Sequence, residues 1–251
     1  MTALMRSEWI KLRTVTSHWV IAAVGIAFTP IVAVLTAIFI TLDNSTDTSL
    51  PAEATAGTVV VMALLFGSIA VLSYAQEHSH GTIRVTYAAE PRRIRVLLAK
   101  AVVLAVSALV LSAATVAATY VATVMILDRR DGAPSFVGAD TGKGALAGAV
   151  VLCVLLTLLG FAIGMLLRNA PLAITIFVVW PLLAEGLIGA LLAQIFGDGA
   201  WKFLPYTSGF QLLSTTQDDD YFGRVVSGAY FGIWVAVLLA LGMVLSARRD
   251  A

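Results

Sequence analysis

The sequence predicts an all-α integral membrane protein with six transmembrane helices. Three observations carry this expectation. Of 251 residues, 59% are apolar and 12% charged, against roughly a quarter charged in a soluble domain. Mean hydropathy is +0.93. Six apolar runs are each long enough to cross about 30 Å of hydrocarbon at about 1.5 Å per residue. The chain reads as a single membrane domain over residues 1–251, with short loops and no internal repeat.

The elements follow in order. Residues 2–17 hold no long apolar run. At 100° per residue, Leu4, Met5, Trp9, Leu12 and Val15 share an arc of about 140°, with Arg6, Ser7, Lys11 and Arg13 opposite. Glu8 interrupts the apolar arc and Ile10 the polar one. A basic helix with one Trp suits the headgroup plane, and the plainer reading is an orienting basic flank. The spans are Trp19–Leu42, Ala54–Gln76, Ala101–Leu127, Ala145–Leu167, Pro171–Phe196 and Val225–Ala247. The first is too long for a signal-peptide core and reads as an uncleaved span.

Between the second and third spans lies a polar, arginine-rich island, residues 77–100. Thr82–Ala89 is long enough for about two helical turns, with Ile83 and Tyr87 on one face. Gly81 provides a flexible start, and Glu90-Pro91 ends the helix because the residue before proline avoids the helical region. Gly199–Gln217, between spans five and six, is too short and interrupted to cross. It reads as short re-entrant helices around Pro205 forming a lid, or as an aromatic belt loop.

Charge placement orients the chain. Arg6, Lys11, Arg13, Arg84, Arg92, Arg93, Arg95, Lys100, Arg168, Arg248 and Arg249 fall on one side; Arg129, Arg130, Lys143, Lys202 and Arg224 fall on the other. The positive-inside rule then puts both termini in the cytoplasm. Asp43, Asp47, Glu53, Asp128, Asp131 and Asp218–Asp220 fall outside; Asp218–Asp220 either attract a cation or read as a solvated loop.

No enzyme constellation is present. Gly138–Gly144 (GADTGKG) imitates a phosphate loop, but it is one residue short and has glycine where Ser or Thr would hold magnesium. Asn44-Ser45-Thr46 fits a glycosylation sequon but carries little weight in a bacterial-looking chain. No metal site is expected: Cys153 is isolated in an apolar run, and His18, His78 and His80 read as surface polar residues. Nothing suggests nucleic-acid binding. Glu185 is an ionisable residue within a span, expensive there unless paired or hydrated. It either lines a substrate path with Trp180, or makes a structural hydrogen bond or snorkels outward. Trp180-Pro181 should loosen that helix. Gly160 and Gly164 form a small-residue pair that permits close helix contact.

Glu77, Gly81, Thr82 and Ile83, followed by Pro91, Arg92, Arg93 and Lys100, resemble the E…GT(L/I)…P…R…K signature of type 2 ATP-binding-cassette (ABC) transporter permeases. Ser7-Glu8-Trp9-Ile10-Lys11-Leu12-Arg13 is similar to the (S/E)-W-x-K-L-R opening of actinobacterial members. The resemblance covers essentially the whole chain, although Glu90 and Arg92 flank the proline where many relatives have small residues.

The resemblance implies an exporter subunit in a bacterial cytoplasmic membrane with no ATPase site of its own. ATP and Mg would sit on a separately encoded ABC ATPase, two copies of which would drive two permeases, here a homodimer among membrane lipids. It implies ATPase-coupling roles for Glu8, Trp9, Lys11 and Arg13 on the N-terminal helix. The same holds for Glu77, Gly81, Thr82, Ile83, Arg84, Tyr87, Pro91, Arg92 and Arg93 in the cytoplasmic coupling segment. Trp201, Phe203, Pro205 and Tyr206 would belong to an outer gate. Glu77 is expected to pair with a basic residue on the N-terminal helix or a neighbouring span. A mainly apolar lumen suggests a drug, lipid or peptide as cargo. The alternative is a membrane interaction, sensor or immunity subunit that transports nothing.

Overall fold

The computed structural model describes residues 2–41, 49–90, 92–130, 142–216 and 221–249. Pro91, Asp43, Asp47, Asp131, Asp218–Asp220, the Asn44 sequon and the stretch Gly138–Thr141 lie outside the described residues, as does the side chain of Arg84.

Among the described residues every regular element is helical, and six helical segments are long and apolar enough to cross a membrane. The architecture is that of a multi-pass membrane protein. The helices are α1 (Thr2–Thr14), α2 (Thr16–Phe39), α3 (Leu50–Ser79), α4 (Thr82–Ala89), α5 (Arg93–Leu127) and α6 (Lys143–Leu167). Then come α7 (Ala170–Val179), α8 (Glu185–Phe196), α9 (Pro205–Phe210) and α10 (Arg224–Arg249). The six spanning segments are α2, α3, α5, α6, α7 with α8, and α10. Several outrun their apolar runs: α5 begins at Arg93 and α3 continues to Ser79, so Lys100 and Glu77 are helical.

The spans meet through small residues. On α2, Ala22, Gly25, Thr29, Ala33 and Ala37 recur every three or four positions and are buried. A Cβ on Gly25 would lie 3.3 Å from the Met62 Cα of α3. Such close approach replaces the hydrophobic drive that lipid-embedded helices lack. The tightest seam joins α3 to α6. There Gly160 meets the backbone of Gly67, and a Cβ on Gly164 would sit 3.1 Å from the Val71 carbonyl oxygen. The Gly160/Gly164 pair therefore serves packing within the chain. Gly67 also receives the ring of Phe177 from α7.

Span five is continuous, and its tryptophan–proline pair is absorbed as a five-residue π-helical turn, Trp180–Ala184. Proline lacks the backbone donor, and the wider turn accommodates it without breaking the helix. Two corners are tied by side chains. Trp19 Nε1 donates to the Arg13 carbonyl at 2.9 Å, closing the turn from α1 to α2. Arg130 donates to the Ala37 carbonyl at 2.7 Å near the end of α2. Helix ends leave carbonyls without intrahelical donors, and both contacts supply one.

Gly160→Val should push α6 off α3, since overpacking typically costs about 1–3 kcal/mol or more. Gly164→Ala needs a shift of only a few tenths of an ångström and should cost much less. Thermal midpoints of the two purified variants check the order. Equal midpoints would show that the seam is looser than its contacts imply.

Candidate functional site

The end of the bundle that carries the chain termini gathers charge from three helices. Lys100 on α5 is 4% exposed and Glu8 on α1 is 2% exposed. Lys100 Nζ lies 2.6 Å from Glu8 Oε2 and 2.9 Å from Glu77 Oε1 on α3, and donates to the Ser73 carbonyl at 3.2 Å. Lys11 Nζ lies 2.7 Å from Glu8 Oε1 and 3.1 Å from Glu77 Oε1. It also reaches Thr86 Oγ1 of α4 at 3.4 Å. Each ammonium has three donors, and each meets three acceptors. Each carboxylate bridges both lysines, so the cluster is neutral overall.

This explains the irregular amphipathicity of α1. Glu8 points inward with Leu4, Met5 and Leu12 because its partner Lys100 is buried there. Burial by itself would raise the Glu8 carboxyl, but Lys100 and then Lys11 more than offset it and hold the group below the usual carboxylate range. Burial likewise opposes the charged form of Lys11, but hydrogen bonding to Glu8 and the charges of Glu77 and Glu8 raise it above the usual lysine range. A depressed acid stabilises the docked helix at neutral pH and loses that contribution as pH falls through its folded value. A raised base contributes below its usual range and loses it as pH rises through its folded value. The network is therefore complete between those acid and alkaline limits.

The helix α4 starts at Gly81, whose φ of +70° is the left-handed conformation glycine adopts without strain. Thr82 Oγ1 donates to the Glu77 carbonyl at 3.2 Å, joining α4 to the last turns of α3. Ile83 is buried and Tyr87 packs beside it, against Tyr74, Leu97 and Met243 among others. The Arg93 guanidinium lies 5.4 Å from the Tyr87 ring centroid. Arg93 also donates to the Ala247 carbonyl of α10 at 3.1 Å. Ile83 and Tyr87 thus anchor α4, while Gly81, Thr82 and Ala88 are exposed. Trp9, Arg13 and Arg92 are exposed at the same end.

The structure brings together Glu8, Lys11 and Glu77 and adds Lys100, the last residue of the island, which the signature includes but which was given no coupling role. Its signal was a lone cation in an apolar run with two carboxylates in range of the same level. One expectation is corrected. His18 is buried, 6% exposed, and neither ring nitrogen has a hydrogen-bond partner among the described residues. The fold of α1 over the first turn of α2 covers it. His80 is exposed, and His78 stacks on Tyr74 with ring centroids 6.3 Å apart.

At the opposite end, Glu185 is 2% exposed. It accepts from Tyr206 N at 2.8 Å, Thr207 N at 2.7 Å and Thr207 Oγ1 at 2.9 Å. Tyr206 and Thr207 follow Pro205, the first residue of α9, whose own N-cap Leu204 has no side-chain oxygen. Glu185 caps this helix from another span. Of the residues expected around a gate, Tyr206 is buried against Phe231, at 5.6 Å between centroids, and Trp201 packs over Gly189. Phe203 is 58% exposed and meets Phe222 edge-on at 5.8 Å. Pro205 is half-buried, and Trp180, on the π turn, is 44% exposed.

No protein-family model matches the chain. No curated protein matches it either.

Lys100→Met leaves buried Glu8 with Lys11 as its one remaining cation, and breaking a buried pair this way costs about 3–5 kcal/mol. Glu8→Gln combined with Lys100→Met removes both charges and should sit closer to the wild type than Lys100→Met alone. Thermal denaturation of the three proteins checks this; additive losses would contradict the coupling. Acidification below the usual carboxylate range should release α1 before the spans unfold. Amide exchange at residues 2–14 reads this, and unchanged protection would show that apolar contacts alone hold the helix.

Proposed function

We propose that the chain is the transmembrane permease subunit of a type 2 ABC exporter, driven by a separately encoded nucleotide-binding subunit. One observation carries the reading: α4 is a short surface helix fixed to α3 and α5 on its inner side and linked to α1 through the Lys11 cluster. A partner pressing on its exposed side would move α1, α3 and α5 together. The resemblance of the Glu77–Lys100 segment to the permease signature supports the same assignment, because Glu77 and Lys100 are the signature positions that pair.

In this reading the chain sits in a bacterial cytoplasmic membrane with both termini inside. The permease itself binds no nucleotide; ATP and Mg belong to the ATPase. α1 is the amphipathic interfacial helix, α4 the coupling helix, and α9 with its flanking turns the re-entrant outer element. Gly81, Thr82 and Ala88 would meet the ATPase, with Arg92 and Arg13 beside them. Ile83, Tyr87 and Arg93 would transmit the load. Closure of two ATPases would rock two permeases and open a path between them. The capped outer hairpin would then move with span five, through Glu185.

The permease purified gently from its native membrane should carry a nucleotide-binding subunit and hydrolyse Mg-ATP. Replacing Gly81-Thr82 with Val-Ala, or deleting Ile83–Tyr87, should remove that subunit or uncouple its hydrolysis from export, with membrane insertion intact. Wild-type protein that never captures an ATPase, or unchanged coupling in both variants, would overturn the assignment. Glu185→Ala should loosen the outer hairpin and expose residues 199–213 to amide exchange. Glu185→Gln, which keeps one acceptor oxygen, should recover part of the protection.

A further inference from the structure

Beside the charged cluster, α1 roofs an apolar cleft of about 500 Å³ between α2, α3 and α5. That volume lies within the range of about 300–1,000 Å³ typical of small-molecule sites. Its floor is Phe66, Ile69 and Ala108, and its open flank is the ridge Val102, Val106 and Val110 of α5. These three valines are spaced by four, so they share one face, and they are 41%, 52% and 60% exposed. The cleft therefore opens sideways toward the surroundings of the spans.

Its rim is cationic. Arg6 and Arg13 line it, seven residues apart on one side of α1, and no Asp or Glu does. Glu8 faces a neighbouring cavity of about 430 Å³ and is already bridged by two lysines. Trp9 and Trp19 flank the rim, where indole rings favour the boundary between headgroups and hydrocarbon. His18 stands between the two cavities and lines both, buried, with both ring nitrogens lacking a partner among the described residues. A buried ring N–H without an acceptor is a standing penalty that a ligand oxygen would remove.

We infer that this cleft is a binding site for one anionic phospholipid of the surrounding bilayer. An acyl chain fills the apolar space along Val102–Val110, the phosphodiester pairs with Arg6 and Arg13, and His18 hydrogen-bonds to a head-group or ester oxygen. The lipid bridges α1 to α5 beside the Glu8–Lys100 pair. The inference does not depend on an ATPase and stands or falls without the transport reading.

The test uses the full-length chain, delipidated in detergent, titrated with phosphatidylglycerol or phosphatidylcholine and read by native mass spectrometry and thermal midpoint. The expected result is one retained phosphatidylglycerol per chain, a higher midpoint, and weak retention of phosphatidylcholine. Arg6→Ala with Arg13→Ala should weaken phosphatidylglycerol retention about thirtyfold, given the attraction of each basic residue near an anionic surface. Val106→Trp, which blocks the open flank, should displace both lipids. Both variants change exposed side chains, so their lipid-free midpoints should match the wild type and show that they fold. Arg95→Ala with Arg248→Ala, which removes two exposed arginines from the same end, should leave retention unchanged. Equal retention of both lipids by the wild type, or equal losses in the two double-arginine variants, would overturn the site in favour of general attraction to the bilayer surface.

Discussion

Two lysines and two glutamates, each touching both members of the other kind, hold one end of this molecule together. Charges removed from water are costly unless every one is matched. Here the matching spans three helices: Glu8 and Lys11 come from α1, Glu77 from α3 and Lys100 from α5. No helix can leave without stranding charge on the others. That makes docking of α1 close to all-or-none, although its apolar side is modest. Thr86 extends the same set to α4 through Lys11. The cluster thus ties two short surface helices to the spans.

The opposite end solves a similar problem with a different chemistry. Among the described residues no cation pairs with Glu185; its oxygens are met by two backbone N–H groups and a hydroxyl. Hydrogen bonds to a charged group contribute about 1.5–3 kcal/mol each, and a helix N-terminus adds a favourable partial charge. A carboxylate within a span is thereby made tolerable and a six-residue helix is given the cap its own sequence lacks. At both ends, a carboxylate ties a surface element to a span in addition to that element's apolar contacts.

Hydrophobic run length made the six spans legible in the sequence, because a bilayer leaves few alternatives for such runs. The ends were less legible. α5 begins at Arg93 and α3 runs on to Ser79, which carries Lys100 and Glu77 into a pairing between helices that no local pattern reports. Glu8 stood out only as a fault in an amphipathic arc, and that fault was the residue aimed at Lys100. The pairing expected for Glu77 was half visible, since its sign was known and its partners were not. His18 read as surface polar because three-dimensional cover by α1 leaves no trace in a one-dimensional window. For Glu185, the structural alternative was already open, and the Tyr206 and Thr207 donors fill it from 21 and 22 residues away.

The strut between the two ends is α3. It is the most buried of the six spans, and it has a bonded carboxylate near each end. Glu53 accepts from Thr215 Oγ1 at 2.5 Å, next to the outer turns, and Glu77 belongs to the four-charge cluster. These residues are 24 positions apart, about 36 Å along a helix. Between them, Gly67 lies against Gly160 with no side chain to compress. Backbone in contact with backbone leaves little room for sliding, because close-packed interiors transmit strain rather than absorb it. A push on α4 should therefore reach the far end as a tilt of α3 and α6 together. In the proposed exporter this rigid pair would be the lever, with the charged cluster as its handle.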